Sequence, residues 1–287
     1  MKEFAFHSPN SLTEALELLG ELGEQARPLA GGTDLLLQMR QGERLPGALV
    51  SLRRLTELKG IHDDADGGLR LGAGTTLREL TRDATIRARY PCLAHTAALM
   101  GSEQVRSLAT LGGNLCNGSP SADLAPPLIA LGAEARISGP RGERALPLET
   151  FFLGPGSTAL QPGELLTHLV VPPPQGRCVY LKHAARAYMD IPMVGVAAQL
   201  SFERGQLRKP RIVLGAVAPV PLRATAAERA LEDGPLTQER IQAAAELAQA
   251  ACSPISDLRS SQGYRRRMVR VMVVRALESL RPNGSGE

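Results

Sequence analysis

TLGGNLCNGSPSADLAPPLIALGA, Thr110 to Ala133, sets a Gly-Gly-Asn turn before small residues, one aspartate and an apolar run. A second stretch, PLAGGTDLLLQM from Pro28 to Met39, places Gly31 and Gly32 between two apolar segments. Neither stretch contains Lys or Arg. Glycine allows positive φ and lets a ligand approach the main chain closely. Successive amides aimed into one concavity form an anion nest, and the start of a helix adds partial positive charge. Two neutral nests facing each other would suit a pyrophosphate, with Thr33, Thr110 and Asn114 side chains as further partners. Each loop taken alone is equally a tight strand-to-helix turn. Neither carries the G-K-[ST] of a P-loop or the G-x-G-x-x-G of a dinucleotide fingerprint. The residues alone therefore reach a phosphate-bearing ligand and stop.

Asp123 follows Ser119-Pro120-Ser121-Ala122 and precedes the apolar Leu124–Leu131. A carboxylate at the mouth of a core segment needs hydrogen bonds. Polyol hydroxyls would supply them, and so would the amides of a following helix if Asp123 is its N-cap.

The remaining composition narrows the function. At 287 residues the chain can hold two domains, and its 43% apolar share fits a globular protein. Aromatics make up 3%, with no Trp, which argues against a base-stacking platform. A net charge of +4 is too diffuse for a nucleic-acid footprint. The longest basic run, Arg265-Arg266-Arg267, opens YRRRMVRVMVVRALESL, where Met268, Val271, Met272 and Leu277 recur at helical spacing. That pattern predicts a helix whose basic face is solvated or meets a partner. The four cysteines, Cys92, Cys116, Cys178 and Cys252, form no C-x-x-C pair. With no signal peptide or transmembrane run visible, they read as reduced thiols of a cytoplasmic protein. Metal ligation and an iron–sulfur cluster held by this chain alone are not expected.

Organisation follows from local signals. EFAF and then Ser11-Leu12-Thr13-Glu14 predict a short apolar segment and a capping-box helix, stopped at Gly23. ARPLAGGTDLLLQM reads as strand, turn and helix, and ALVSLRRL as a strand, completing a small α/β unit. GLRLGAGTTLREL repeats strand, turn and capping-box helix, with Thr76 and Glu79 as the box. A hairpin is expected around Gly139–Gly142, then a strand in GELLTHLVVPPP. Pro172-Pro173-Pro174-Gln175-Gly176 marks a boundary, since a proline triplet stiffens the chain and continues neither helix nor central strand. Beyond it come strands with a turn at Arg204–Leu207, then helices at Ala226–Leu231, Gln238–Ala251 and the arginine-rich segment. The expected organisation is α+β: domain 1–172, in parts of about 1–55 and 56–172, then domain 177–287 and a short tail, PNGSGE.

Together these motifs resemble the flavin-carrying medium subunit of the molybdenum hydroxylases, the family of carbon monoxide dehydrogenase and bacterial xanthine dehydrogenase. The resemblance spans essentially the whole chain. AGGTDLL looks like the first FAD-pyrophosphate loop and TLGGNLCNGSPSAD like the second FAD motif; LGAGTTLREL and GSEQVRSLATLGGN match the segments between them. APVPLRATAAE and YRRRMVRVMVVRAL resemble the family's small C-terminal domain. The fold so implied is a two-part FAD-binding domain of the vanillyl-alcohol-oxidase/PCMH type, followed by a CO-dehydrogenase-flavoprotein C-terminal domain.

Carried over by resemblance, Leu29, Ala30, Gly31, Gly32, Thr33, Asp34 and Leu35 would wrap the FAD pyrophosphate. Thr110, Gly113 and Asn114 would complete the diphosphate and ribityl contacts, and Asp123 would accept from a ribityl or ribose hydroxyl. Leu71 takes the place of a residue near the isoalloxazine, Ala73 just after it is a further cofactor-binding position, and Ile191 takes the place of a residue over the ring face. Lys182, Arg186 and Asp190 match charged positions that tune the flavin, although an ordinary charged connection has the same pattern. No cysteine-rich insertion like that of the related 4-hydroxybenzoyl-CoA reductase is present, and no histidine suggests covalent attachment. The resemblance implies non-covalent FAD and no catalytic side chain. The molybdenum cofactor would sit on a large partner subunit and [2Fe-2S] clusters on a small one, with NAD+, quinone or oxygen as external acceptor. A stand-alone FAD-dependent oxidoreductase and a flavin-free structural subunit remain open at this stage.

Overall fold

The computed structural model describes residues 3–282, so all of the PNGSGE tail but Pro282 lies outside the described residues. In chain order the elements begin β1 (Ala5–His7), α1 (Leu12–Leu22), β2 (Ala26–Leu29), α2 (Leu35–Gln41), β3 (Ala48–Ser51), β4 (Ile61–Asp63) and β5 (Leu69–Gly72). Six helices follow: α3 (Leu77–Arg82), α4 (Ala84–Arg89), α5 (Pro91–Ala98), α6 (Glu103–Arg106), α7 (Leu111–Cys116) and α8 (Ala125–Ala130). Then come β6 (Glu134–Gly139), β7 (Gly142–Pro147), β8 (Phe152–Gly154), β9 (Ser157–Thr158) and β10 (Leu165–Val171). The chain closes with β11 (Arg177–His183), β12 (Val194–Glu203), β13 (Gln206–Gly215), β14 (Leu222–Arg223), α9 (Thr225–Leu231), α10 (Gln238–Ala251) and α11 (Gln262–Ser279).

The chain forms two compact units. One comprises residues 1–83, 101–119 and 132–173; the other comprises 84–100, 120–131 and 174–287.

The first unit holds a parallel sheet in the order β1-β3-β2 and an antiparallel sheet in the order β4-β5-β10-β6-β7. Ala15 and Leu19 of α1 pack with Ala26, Ala48, Val50, Leu55 and Leu58 in one core cluster. Ser11 caps α1 by accepting from the Glu14 amide. The expected capping box is only half formed, because Glu14 reaches back to the Asn10 amide rather than to that of Ser11. The box before α3 is complete, with Thr76 and Glu79 satisfying each other's amides. A capping box satisfies two orphan amide donors at a helix start.

In the second unit β11, β12, β13 and β14 form an antiparallel sheet in that order. Seven successive residues of β12, Val194–Leu200, are buried. Such a run needs cover on both faces. Val194, Val196, Ala198 and Leu200 join the cluster that contains Ala244 and Ala248 of α10 and Val269 and Val273 of α11. Helix α8 is buried at every residue, and the Arg211 guanidinium donates to its last carbonyls, Ile129 O and Ala130 O. The expectation that the Arg265–Arg267 run is solvated fails at Arg265. That residue is only 3% exposed; it donates to Asp257 at 2.6 Å and to the Ala216 carbonyl at 3.2 Å. A buried arginine is held there because both acceptors lie on its own unit, outside the helix that carries it.

All four cysteines are free thiols. Among the described residues no helix is long and apolar enough to cross a membrane, and no cluster of His, Cys, Asp or Glu could hold a metal.

Candidate functional site

The first glycine loop leaves β2 at Leu29 and enters α2 at Leu35. At Gly31 a β-carbon would lie 2.0 Å from the Leu108 carbonyl oxygen, so the loop runs directly against the 107–109 backbone. Gly32 has φ +73°, which favours glycine. Asp34 stands at the N-cap of α2 but makes no capping bond. Among the described residues the amides of Gly31, Gly32, Thr33 and Asp34 make no hydrogen bond. A strand end, two glycines and a short helix thus hold four unmatched donors together, as an anion nest requires.

The second loop is built differently from the expected second nest. Thr110 is the N-cap of α7, and Gly112, Gly113 and Asn114 lie inside that helix. Its amides are already used: Leu111 donates to Thr75 O, Gly112 to Ala73 O, Gly113 to Thr110 Oγ1 and Asn114 to Thr110 O. Gly112 is needed for space, since a β-carbon there would sit 2.7 Å from that of Ala73. What this loop offers a ligand is side chains. Asn114 Oδ1 is buried without a hydrogen-bond partner. An unmatched buried acceptor is costly, and a donor from outside the chain would satisfy it.

Ala30, Gly31, Ala73, Thr110 and Gly113 line one cavity of about 280 Å³ within the first unit. The structure therefore brings both loops together. Asn114 flanks the Gly113 wall along the chain, and Leu71 is fully enclosed in β5 rather than on the cavity surface. Cys116 also lines it, and burial pushes its thiol up to about 12, so it stays protonated. Sequence reasoning missed two exposed cations at this cavity, Arg53 and Lys59. Only the fold connects them to the loops, because SLRRLTELKG has the look of an ordinary solvated connection.

In the second unit, Asp123 does not cap α8, whose N-cap is Leu124 without a side-chain bond. Its carboxylate instead accepts from the Tyr180 hydroxyl at 2.7 Å and the Lys182 ammonium at 2.9 Å. Tyr180 and Lys182 are two apart on β11 and so share a face. Burial pushes the Asp123 carboxyl up from the ordinary carboxylate range, opposed by Lys182 and Tyr180. Arg186 and Asp190 lie in the loop after β11. The Asp190 carboxylate accepts from the Arg186 and Ile191 amides, which holds it below the usual carboxylate range. Ile191 is 46% exposed.

Comparison with known proteins identifies the family. The family profile "FAD binding domain in molybdopterin dehydrogenase" matches residues 2–174, and "CO dehydrogenase flavoprotein C-terminal domain" matches residues 179–280. The xanthine dehydrogenase FAD-binding subunit of Escherichia coli O157:H7 is 34% identical, over 96% of each chain. The carbon monoxide dehydrogenase medium chain of Hydrogenophaga pseudoflava is 35% identical, again over 96% of each. A solved structure of carbon monoxide dehydrogenase from Hydrogenophaga pseudoflava, lacking the Mo-pyranopterin moiety of the molybdenum cofactor, superposes with a TM-score of 0.94 at 37% identity, covering 97% of both chains. With both profiles end to end along it, the chain belongs to the FAD-binding flavoprotein subunits of the molybdenum hydroxylase family.

Proposed function

We propose that this flavoprotein subunit is the electron-transfer subunit of a three-component hydroxylase. A large partner carries the molybdenum cofactor and oxidises the substrate, and a small partner carries [2Fe-2S] clusters. FAD, when bound here non-covalently, supplies the redox chemistry that takes electrons from those clusters and passes them to an external acceptor such as NAD+, a quinone or oxygen.

The observation that carries this reading is the set of unmatched groups at the first unit's cavity. Four free amides, Gly31 to Asp34, suit a diphosphate. The buried Asn114 Oδ1 needs a donor, which a polyol chain possesses. Leu29–Leu35, Ala73, Thr110, Gly113 and Asn114 would hold FAD, with Leu71 anchoring the strand that leads to Ala73. Arg53 and Lys59 add positive charge that the amides lack. Asp123 keeps lone pairs for a hydroxyl beyond those used by Tyr180 and Lys182. Lys182, Arg186, Asp190 and Ile191 are assigned to tuning the cofactor's potential or to docking the acceptor. No side chain is assigned proton transfer.

The test is reconstitution. In the complete complex, substrate should bleach the flavin absorbance, and omission of the small subunit should abolish the bleaching. Turnover of donor and acceptor by the isolated chain would overturn the reading in favour of a stand-alone oxidoreductase. Replacing Lys182 and Asp190 together should shift the flavin potential; unchanged potential and turnover would defeat their assignment.

A further inference from the structure

The second compact unit has a cleft of its own, of about 420 Å³, within the size range of small-molecule sites. It is bounded by the C-terminal end of α5, the end of β11 with the loop after it, and α11. The polar side chains lining it are His95, Tyr180, Lys182, His183, Arg186 and Arg275. None of the lining residues is acidic.

The charges are not equally available. Lys182 is spent on Asp123 at 2.9 Å. Arg186, itself exposed, stands 3.8 Å from the half-buried Asp190, a loose pair. Arg275 has no ion pair or hydrogen bond from its side chain among the described residues, and neither has His95. His183 Nε2 bonds the Tyr264 hydroxyl at 3.1 Å, tying β11 to α11 and fixing the imidazole at the cleft. Arg275 lies eleven residues beyond Tyr264 on α11, about three helical turns, which returns it to the same side. Burial and Arg275 both hold the His183 imidazole below its ordinary pKa, so at neutral pH it serves as a neutral hydrogen-bonding group.

An unpaired guanidinium, a loosely paired one and two imidazoles, with no carboxylate among them, match a multiply charged oxyanion. Guanidinium forks recognise phosphate in bidentate fashion. A quinone would want an apolar pocket, and this one is mainly polar. We propose that this cleft binds a phosphate-bearing anion of nucleotide size, with Arg275 as its principal partner and His95 and Arg186 in support. The assignment rests on Arg275 and His95, which the flavin reading does not use, and shares only Arg186 with that reading.

The test is calorimetric titration of the full chain with ADP, inorganic pyrophosphate and adenosine, with and without saturating FAD. ADP is expected to bind in both states and adenosine in neither. Arg275→Ala should weaken ADP roughly 10- to 100-fold, the loss of one charge-assisted pair. Arg275→Lys should recover part of that loss, and His95→Ala should weaken binding less. A preference for ADP over pyrophosphate supports a site of nucleotide size; equal affinity for the two would overturn that assignment. Arg275 is exposed, so its variants should melt like the parent. Absence of ADP and pyrophosphate binding, indifference to Arg275→Ala, or displacement of ADP by FAD would each overturn the proposal. A chain that fails to take up FAD but binds ADP through Arg275 would separate this proposal from the flavin reading.

Discussion

Gly31 is the residue at which the proposed cofactor site is least forgiving. The obstacle to a side chain there is backbone, the Leu108 carbonyl group with its oxygen at 2.0 Å and its carbon at 2.6 Å. Gly31→Ala must push the two segments apart, at a cost of about 1–3 kcal/mol by overpacking alone. It is expected to lose FAD uptake and to lower the urea midpoint. Gly42→Ala provides the comparison: φ is +82° but nothing lies within 4 Å, so about 1–2 kcal/mol of backbone strain should leave uptake intact. Flavin titration of both variants checks this. His168 offers a pH test in the same unit. Burial, then Arg70 and Arg136, hold its pKa down to about 4 from 6.5. Thr167 Oγ1 donates its one hydrogen to Arg136 O, so it accepts from His168 Nδ1–H at 3.0 Å. The unfolded chain takes up the proton first. Stability should therefore be full above pH 6.5, fall as the pH drops from 6.5 towards about 4, and level off below. His168→Gln should flatten that slope in unfolding curves measured across the range. The sequence marked Gly31 as a turn, but not the carbonyl that demands glycine. It marked Asp123 as needing partners, but Tyr180 and Lys182 lie 57 and 59 residues away and only the fold names them.

Among the elements, α7 shows where local reasoning reached its limit. LGGNLC contains two glycines, poor helix formers, and so reads as a turn. It is helical because Thr110 caps it and because Leu111 and Gly112 donate to Thr75 and Ala73, a tertiary constraint invisible to propensity. Thr110→Ala removes the cap, at about 1 kcal/mol, and also takes a hydroxyl from the cavity wall. Thr237→Ala removes the equivalent cap of α10, whose side chain accepts from the Arg240 amide, without touching the cavity. Both variants should lose similar stability in denaturant, and Thr110→Ala alone should weaken FAD. Equal FAD affinities would show that Thr110 serves the helix only. Elements set by nearby residues were legible: the Thr76–Glu79 box, the hairpin at Gly139–Gly142, and helix Gln238–Ala251. The half-formed box at Ser11 and the burial of Arg265 were not, since each depends on where a neighbouring segment lies.

For the whole molecule, the order of the glycine-containing motifs carried more than any single residue did. AGGTDLL, then LGAGTT, then TLGGN along one chain pointed to the family, and the profiles spanning residues 2–174 and 179–280 bear that out. The pieces at 84–100 and 120–131 gave no sign of packing with the later strands, because each is short and apolar and could serve either unit. The central claim is that the unmatched amides of Gly31–Asp34 and the buried Asn114 oxygen exist to hold FAD. The most direct measurement is to purify the full chain, load it with added FAD, remove the excess, denature it, and identify the released flavin by absorbance and mass. The account predicts equimolar FAD, released intact without proteolysis. A folded chain that stays colourless after loading would contradict it.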